Sequence, residues 1–222
     1  MACGNRLPFE KFPGIFSSID SYSKKITMSY FHRYGRVPKW FDGFGELGTP
    51  IRVPHWSKFG ILDEETNIRL VGVPDEVLRH PNRGLWIGDY KTAKYTQCQD
   101  ALFPMYEVQL NCYAIIAPRV GLGSVYGVGI LYYEPRVTDI EDRERDNLIK
   151  DDCFFMQFAP KLKPVRLDSS IVFPLLKTAR EIYDSDEIPQ DRPGCADCLS
   201  LETLKKGLAK HSSFTAANSR AT

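Results

Sequence analysis

The chain has 222 residues, with 29 Lys and Arg against 28 Asp and Glu, so its formal charge at pH 7 is +1. That balance excludes a broadly basic nucleic-acid coat, so any phosphate contact must come from a local patch. Hydrophobic residues make up 43% and charged residues 26%, which is ordinary for a globular chain able to bury one sizeable core. No apolar run reaches the roughly 18 residues of a membrane span. The opening MACGNRLPFEKF lacks the apolar core of a secretory signal, and six cysteines do not suggest a disulfide scaffold. The expectation is a cytoplasmic protein without a membrane anchor.

Residues 1–19 show no period. Ile19, Tyr22, Ile26, Tyr30 and Tyr34 fall at helical spacing and predict a helix over 19–34, with Asp20 or Ser21 as N-cap and Gly35 as stop. Pro38, Pro50 and Pro54, with the glycines among them, make 35–60 mostly irregular connection. Two strand-like segments follow, 68–77 carrying Asp75 and 84–92 carrying Asp89 and Lys91. HPNRG at 80–84 is turn chemistry, so the two read as a hairpin. A polar link at 93–100 leads into a largely buried helix over 105–117, started by Pro104 with Asp100 as a nearby cap, and ended by Pro118. Strands are expected over 124–133 and 153–159, separated by a mixed-charge run at 134–152 that reads as an exposed loop or short helix. A helix over 169–185, capped by Ser169 or Ser170, precedes Cys195-x-x-Cys198 and a short helix over 200–211. The order predicts a mixed α/β fold, a small central mixed β-sheet flanked by helices. It divides into an N-terminal helical and irregular segment (1–60), a core (61–188) and a C-terminal appendage and tail (189–222). Gly121-Leu-Gly123 precedes a strand instead of following one, which argues against a nucleotide loop.

Side chains alternate along a strand, so Asp89 and Lys91 share a face with Leu85 and Ile87, while Trp86 and Tyr90 point the other way. Asp89 and Lys91 leave the backbone about 6–7 Å apart. The hairpin sets Asp75 beside Asp89. Two adjacent carboxylates at the end of apolar strands are costly unless a cation neutralises them, and hard divalent ions prefer oxygen ligands. A lysine next to a metal-bound water can orient it, take its proton or steady charge developing on phosphorus. An acid-x-Lys triplet alone arises readily by chance. Its weight comes from the ensemble with Gln109 and Tyr113, one helical turn apart.

Together GVPDEV, WIGDYKTAK and YEVQLNCYA resemble the core of a PD-(D/E)XK nuclease of the RecB-like branch, which includes the iron–sulfur nucleases of CRISPR adaptation. The resemblance implies a restriction-endonuclease-like core and metal-dependent hydrolysis of DNA, with single strands or ends as the softer expectation. It implies Asp75, Asp89 and the backbone carbonyl of Tyr90 as ligands of Mg²⁺ or Mn²⁺, and Lys91 as the catalytic lysine. Gln109 and Tyr113 match the family's helical Q-x-x-x-Y motif, which supports the site and meets nucleic acid. An upstream ligand is also implied; His55 and Glu46 are candidates, each set against a plain loop residue. Cys3, Cys195 and Cys198 would hold an iron–sulfur cluster or zinc, or are a relic of one: Arg6 stands where a second N-terminal cysteine would be, and no cysteine follows Cys198.

Lys94, Arg79, Arg83 and Lys58 read as phosphate contacts or as a solvated rim. Tyr90, Tyr95, Trp56 and Trp86 read as base-stacking residues, with Trp86 better placed in the core. His32 reads as a surface or partly buried residue, and Cys98, Cys112 and Cys153 as core or incidental thiols. The near-neutral charge and incomplete cysteine set favour an alternative, a non-catalytic nucleic-acid-binding or assembly module on the same scaffold, working with a protein partner in a nucleic-acid-processing complex. A redox or zinc protein built around Cys195 and Cys198 is a third reading.

Overall fold

A computed structural model describes residues 14–92, 102–136, 146–187, 189–190, 193–195 and 198–206. The chain forms two compact units, Met1–Arg180 and Glu181–Thr222. The segment up to residue 60 thus lies in the same unit as the sheet, and the second unit starts ahead of residue 189. The mixed α/β architecture expected from the order of elements is the one observed. Its centre is a five-stranded sheet in the order β1 (Thr49–Pro50), β4 (Glu76–His80), β5 (Gly84–Lys91), β6 (Val125–Pro135), β7 (Phe158–Val165). A separate two-stranded sheet pairs β2 (Gly60–Asp63) with β3 (Ile68–Val71).

Strands β4 and β5 form the expected antiparallel hairpin, with Glu76 opposite Gly88 and His80 opposite Gly84. Between β5 and β6 the pairing is parallel, Asp89 opposite Ile130 and Lys91 opposite Tyr132. A parallel pair needs a long crossover. Helix α2 (Phe103–Arg119) lies in that connection and covers one sheet face. There Leu85, Ile87, Val77, Val128 and Ile130 pack against Leu110, Ala114, Ile116 and Ala117. The opposite face carries Leu78, Trp86, Tyr90, Leu131 and Tyr133, closed by Phe41 and Leu47. Phe41 comes from a 3₁₀ turn, Lys39–Phe44, inside the stretch expected to be irregular. Helix α1 (Gly14–Tyr34) also serves this face, because buried Thr27 places its hydroxyl 3.2 Å from the Tyr133 hydroxyl. The alternation expected for 84–92 is therefore observed, and Trp86 is a core residue at 2% exposure.

Four boundaries differ from expectation, each for a physical reason. The segment 68–77 is not one strand: Gly72, Val73 and Pro74 interrupt it, and its halves join different sheets. Helix α1 begins at Gly14, so Asp20 lies inside the helix and is no cap. Asp168, in place of Ser169 or Ser170, accepts the Ser170 amide hydrogen bond (3.2 Å) ahead of a 3₁₀ turn and helix α3 (Val172–Asp184). The last strand of the sheet is β7, whereas 153–157 makes an isolated bridge from Phe154 to Ile149 and leaves Phe154 78% exposed. An edge strand needs hydrogen bonds on one side only, so β7 tolerates Pro160 and Pro164 and carries Lys161 and Lys163. The Asp100 cap falls outside the described residues. No described helix is long and apolar enough to cross a membrane.

Close packing around Trp86 fixes the face away from α2. A Cβ built on Gly129 would come within 2.6 Å of Phe44 Cε1 and 3.0 Å of Trp86 Cζ2. Gly129→Val should therefore destabilise the fold by about 1–3 kcal/mol through overpacking. Denaturant unfolding reads this directly, and an unchanged midpoint would contradict the packing described.

Candidate active site

The site forms where β4 leaves the sheet and β5 continues. The ladder pairs Leu78 with Trp86 and Glu76 with Gly88. One step further the register sets Pro74 opposite Tyr90. Proline has no N–H, so this rung cannot close. Instead the Tyr90 N–H donates to Asp75 Oδ2 at 2.8 Å. Backbone N–H and C=O of one strand residue face the same neighbour, so the Tyr90 carbonyl also faces the β4 edge, where Pro74 offers it no donor. Asp75 is thus bound to the strand that carries Asp89, one residue away from it.

Asp89 projects onto the α2 face. Its Oδ1 accepts a hydrogen bond from Gln109 Nε2 (3.1 Å), and the same nitrogen donates to the Tyr113 hydroxyl (2.8 Å). The Tyr113 ring lies so close to Gly72 that a Cβ there would meet Cε1 at 2.3 Å. One turn of α2 therefore steadies both the Asp89 carboxylate and the segment leading to Asp75. Lys91 forms an ion pair with Asp89 Oδ2, and its ammonium lies 4.4 Å from the centre of the Tyr106 ring. Beyond that ion pair, the buried Oδ2 accepts no hydrogen bond among the described residues. Side-chain exposure is 5% at Asp89, 16% at Asp75 and 21% at Lys91, so the pocket of charge opens on the Asp75 and Lys91 side.

The acids repel one another. Burial pushes the Asp89 carboxyl up to about 6; the Asp75 charge adds to the rise, and the Lys91 and Lys24 ammoniums pull it partly back. Glu76 lies under the sheet on the Tyr90 side and accepts the Tyr90 hydroxyl at 2.8 Å. Burial pushes it up to about 7, the Tyr90 hydrogen bond opposes the rise, and the Asp75 charge adds to it.

Sequence reasoning missed three residues. Lys24 on α1 places Nζ 2.7 Å from Asp75 Oδ1 and 2.7 Å from Asp20 Oδ2. Burial works against its charge, but the hydrogen bonds to Asp20 and Asp75 raise its pKa above the ordinary value. The third is Glu76. An acid four residues before a lysine on a helix was a readable signal for Asp20 and Lys24, although such pairs are common on surfaces.

The remaining candidates lie elsewhere or beyond description. Glu46 is 84% exposed and faces His80 at 3.7 Å, at the Gly84 end of the hairpin, about 17 Å of strand from Asp89. His55 bonds the Ser57 hydroxyl at 2.9 Å and lies tilted against the Trp56 ring, and no carboxylate contact is found for it among the described residues. Arg79 and Arg83 also sit at the Gly84 end, Arg79 on the Leu122 carbonyl (2.9 Å) and Arg83 over the Tyr126 ring. Cys195 and Cys198 lie in the second unit, where the Leu199 N–H donates to the Cys195 carbonyl at 3.1 Å. Cys3, Lys94, Tyr95 and Cys98 fall outside the described residues.

Among the described residues no three His, Cys, Asp or Glu side chains converge as a metal-binding group. The donor set is two carboxylates and the Tyr90 carbonyl. It fits a hard divalent cation of the Mg²⁺ type, which takes one or two carboxylates and keeps several waters. In comparison with known proteins, no family model and no curated protein matches this chain significantly.

The raised Glu76 pKa gives a prediction with a definite sign. Between the ordinary 4.5 and about 7 the folded chain holds a proton that the unfolded chain has released, so stability falls as pH rises through that window. In metal-free buffer Glu76→Gln should remove that loss. The variant should gain up to about 3 kcal/mol over wild type near pH 8 and differ little near pH 4. Urea unfolding at both pH values measures it; an equal gap at both would contradict the assignment.

Proposed function

We propose that this chain is a metal-dependent phosphodiesterase of the PD-(D/E)XK type that hydrolyses DNA. The observation that carries the reading is the meeting of Asp75, Asp89 and Lys91 at one strand end, with Gln109 and Tyr113 fastened to it from α2. Structural need alone accounts poorly for two carboxylates, one of them buried, at the same point. Asp75, Asp89 and the Tyr90 carbonyl would hold Mg²⁺ or Mn²⁺. A bound ion would supply Lewis-acid polarisation of a phosphoryl oxygen and would lower the pKa of a nearby water.

The chain's own residues do the rest. Asp89 is oriented by Gln109, so its carboxylate plane is set before any ligand arrives. Lys91 is tied to the same strand two residues on, and its ammonium stands beside the acids at the open side. There it can orient an attacking water, or stabilise negative charge as it builds on the phosphoryl oxygens in an in-line displacement. The Tyr113 ring packs against Gly72 in the segment ahead of Asp75, so both carboxylates are referred to one helix.

A second reading has a specific observation behind it. Since among the described residues no third acid or histidine joins Asp75 and Asp89 as a metal-binding group, and net charge is near zero, the same scaffold could bind nucleic acid without cutting it.

End-labelled single- and double-stranded DNA, incubated with Mn²⁺, Mg²⁺ or EDTA, separates the two. We expect cutting that requires the metal and falls by about 10²-fold or more in Lys91→Ala and in Asp89→Asn. Wild-type rates from Lys91→Ala would overturn the nuclease reading. Binding that persists in EDTA, without product under any metal, would favour the non-catalytic module.

A further inference from the structure

The acid site already contains a cation on loan from α1. Lys24 is not part of the strand motif, yet its ammonium touches Asp75 Oδ1 at 2.7 Å, while the other oxygen of that carboxylate takes the Tyr90 N–H. Both Asp75 oxygens are engaged before any metal arrives. Asp20 holds the same ammonium at 2.7 Å and sits four residues earlier on the same helix. An i,i+4 pair needs nothing from the sheet. Lys24 therefore has two partners of different kinds, a local one that moves with it and a distant one that belongs to the site.

We propose that Lys24 is a displaceable counter-ion: it neutralises Asp75 in the metal-free protein, and a divalent ion binding at Asp75 and Asp89 expels its ammonium onto Asp20 alone. This rests on the metal site of the nuclease reading. A monovalent and a divalent cation sharing one partly buried carboxylate repel each other strongly, because the low local dielectric screens them poorly. Asp89 cannot supply the same relief, since its lysine is two residues away on one strand and Gln109 holds its other oxygen. Lys24 is the one of the two ammoniums whose anchor, α1, lies off the sheet.

Removing the competitor should favour the metal. In a titration that follows free Mn²⁺ by electron paramagnetic resonance, Lys24→Met should bind Mn²⁺ about tenfold more tightly than wild type. Asp89→Asn should weaken binding in either background. Equal or weaker binding by Lys24→Met, with binding still dependent on Asp89, would overturn the counter-ion and leave the metal site standing. Binding that ignores Asp89 in every variant would remove the metal site, and the counter-ion with it.

A second measurement leaves Lys24 in place, should Lys24→Met fail to fold. Acetylation footprinting read by mass spectrometry should show Mg²⁺ accelerating modification of Lys24 several-fold relative to its neighbour Lys25. The acceleration should vanish in Asp89→Asn. Unchanged or slower labelling of Lys24 on adding Mg²⁺ would overturn the proposal.

Discussion

The rung that cannot close between Pro74 and Tyr90 is the constraint on which the candidate site depends. Had residue 74 carried an N–H, β4 would run on beside β5, and its backbone would occupy the edge where Asp75 now reaches Tyr90. Proline withdraws the donor at one position while β5 keeps its parallel ladder to β6 as far as Lys91. The last three residues of β5 are thus held rigidly on one side and opened on the other. A carboxylate fills the opened side. Because strand side chains alternate, Asp89 and Lys91 face α2 and Tyr90 faces α1, so both sheet faces contribute to one point. Gln109 arrives from one helix and Lys24 from the other.

Charge balance at that point is left incomplete. Asp20, Asp75, Glu76 and Asp89 stand against the ammoniums of Lys24 and Lys91. Glu76 answers the shortage by holding its proton to about pH 7, and Asp89 moves in the same direction. Both shifts are led by burial, with Asp75 pushing each further. A site that destabilises its own carboxylates when empty favours a ligand that brings positive charge. The hydrogen bonds of Gln109 and Tyr113 act against collapse, since they hold Asp89 in place while it lacks a full complement of partners.

Much of this was legible in the sequence because the period of a strand is two. From Gly84 to Lys91 the alternation alone sorted Leu85, Ile87, Asp89 and Lys91 from Trp86 and Tyr90, and the HPNRG turn brought Asp75 across. What escaped notice involved tertiary placement. Val71, Val73 and Val77 look like one continuous strand, and the missing N–H of Pro74 inside it matters only through the register with Tyr90. The apolar run CFFMQFA carries a stronger strand signal than FAPKLKPV, but edge strands are governed by which hydrogen bonds face outward. Glu46 and His55 preceded the first acid in sequence, and the fold spends them on His80 and Ser57. Asp20 and Lys24 have the spacing of an ordinary helical surface pair, and only the packing of α1 on the sheet brings Lys24 to Asp75.

Two lysines therefore meet the same acids on unequal terms. Lys91 is fixed by covalent geometry: two residues from Asp89 on a strand laddered to β6, it can rotate but cannot depart. Lys24 is carried by a helix that meets the sheet through side chains, among them the contact between the Thr27 and Tyr133 hydroxyls, and whose own Asp20 offers an alternative partner. The strand lysine suits a role that must be present throughout a reaction, such as orienting a nucleophile. The helix lysine suits one that ends when a competing cation arrives. This division follows from which element carries each residue.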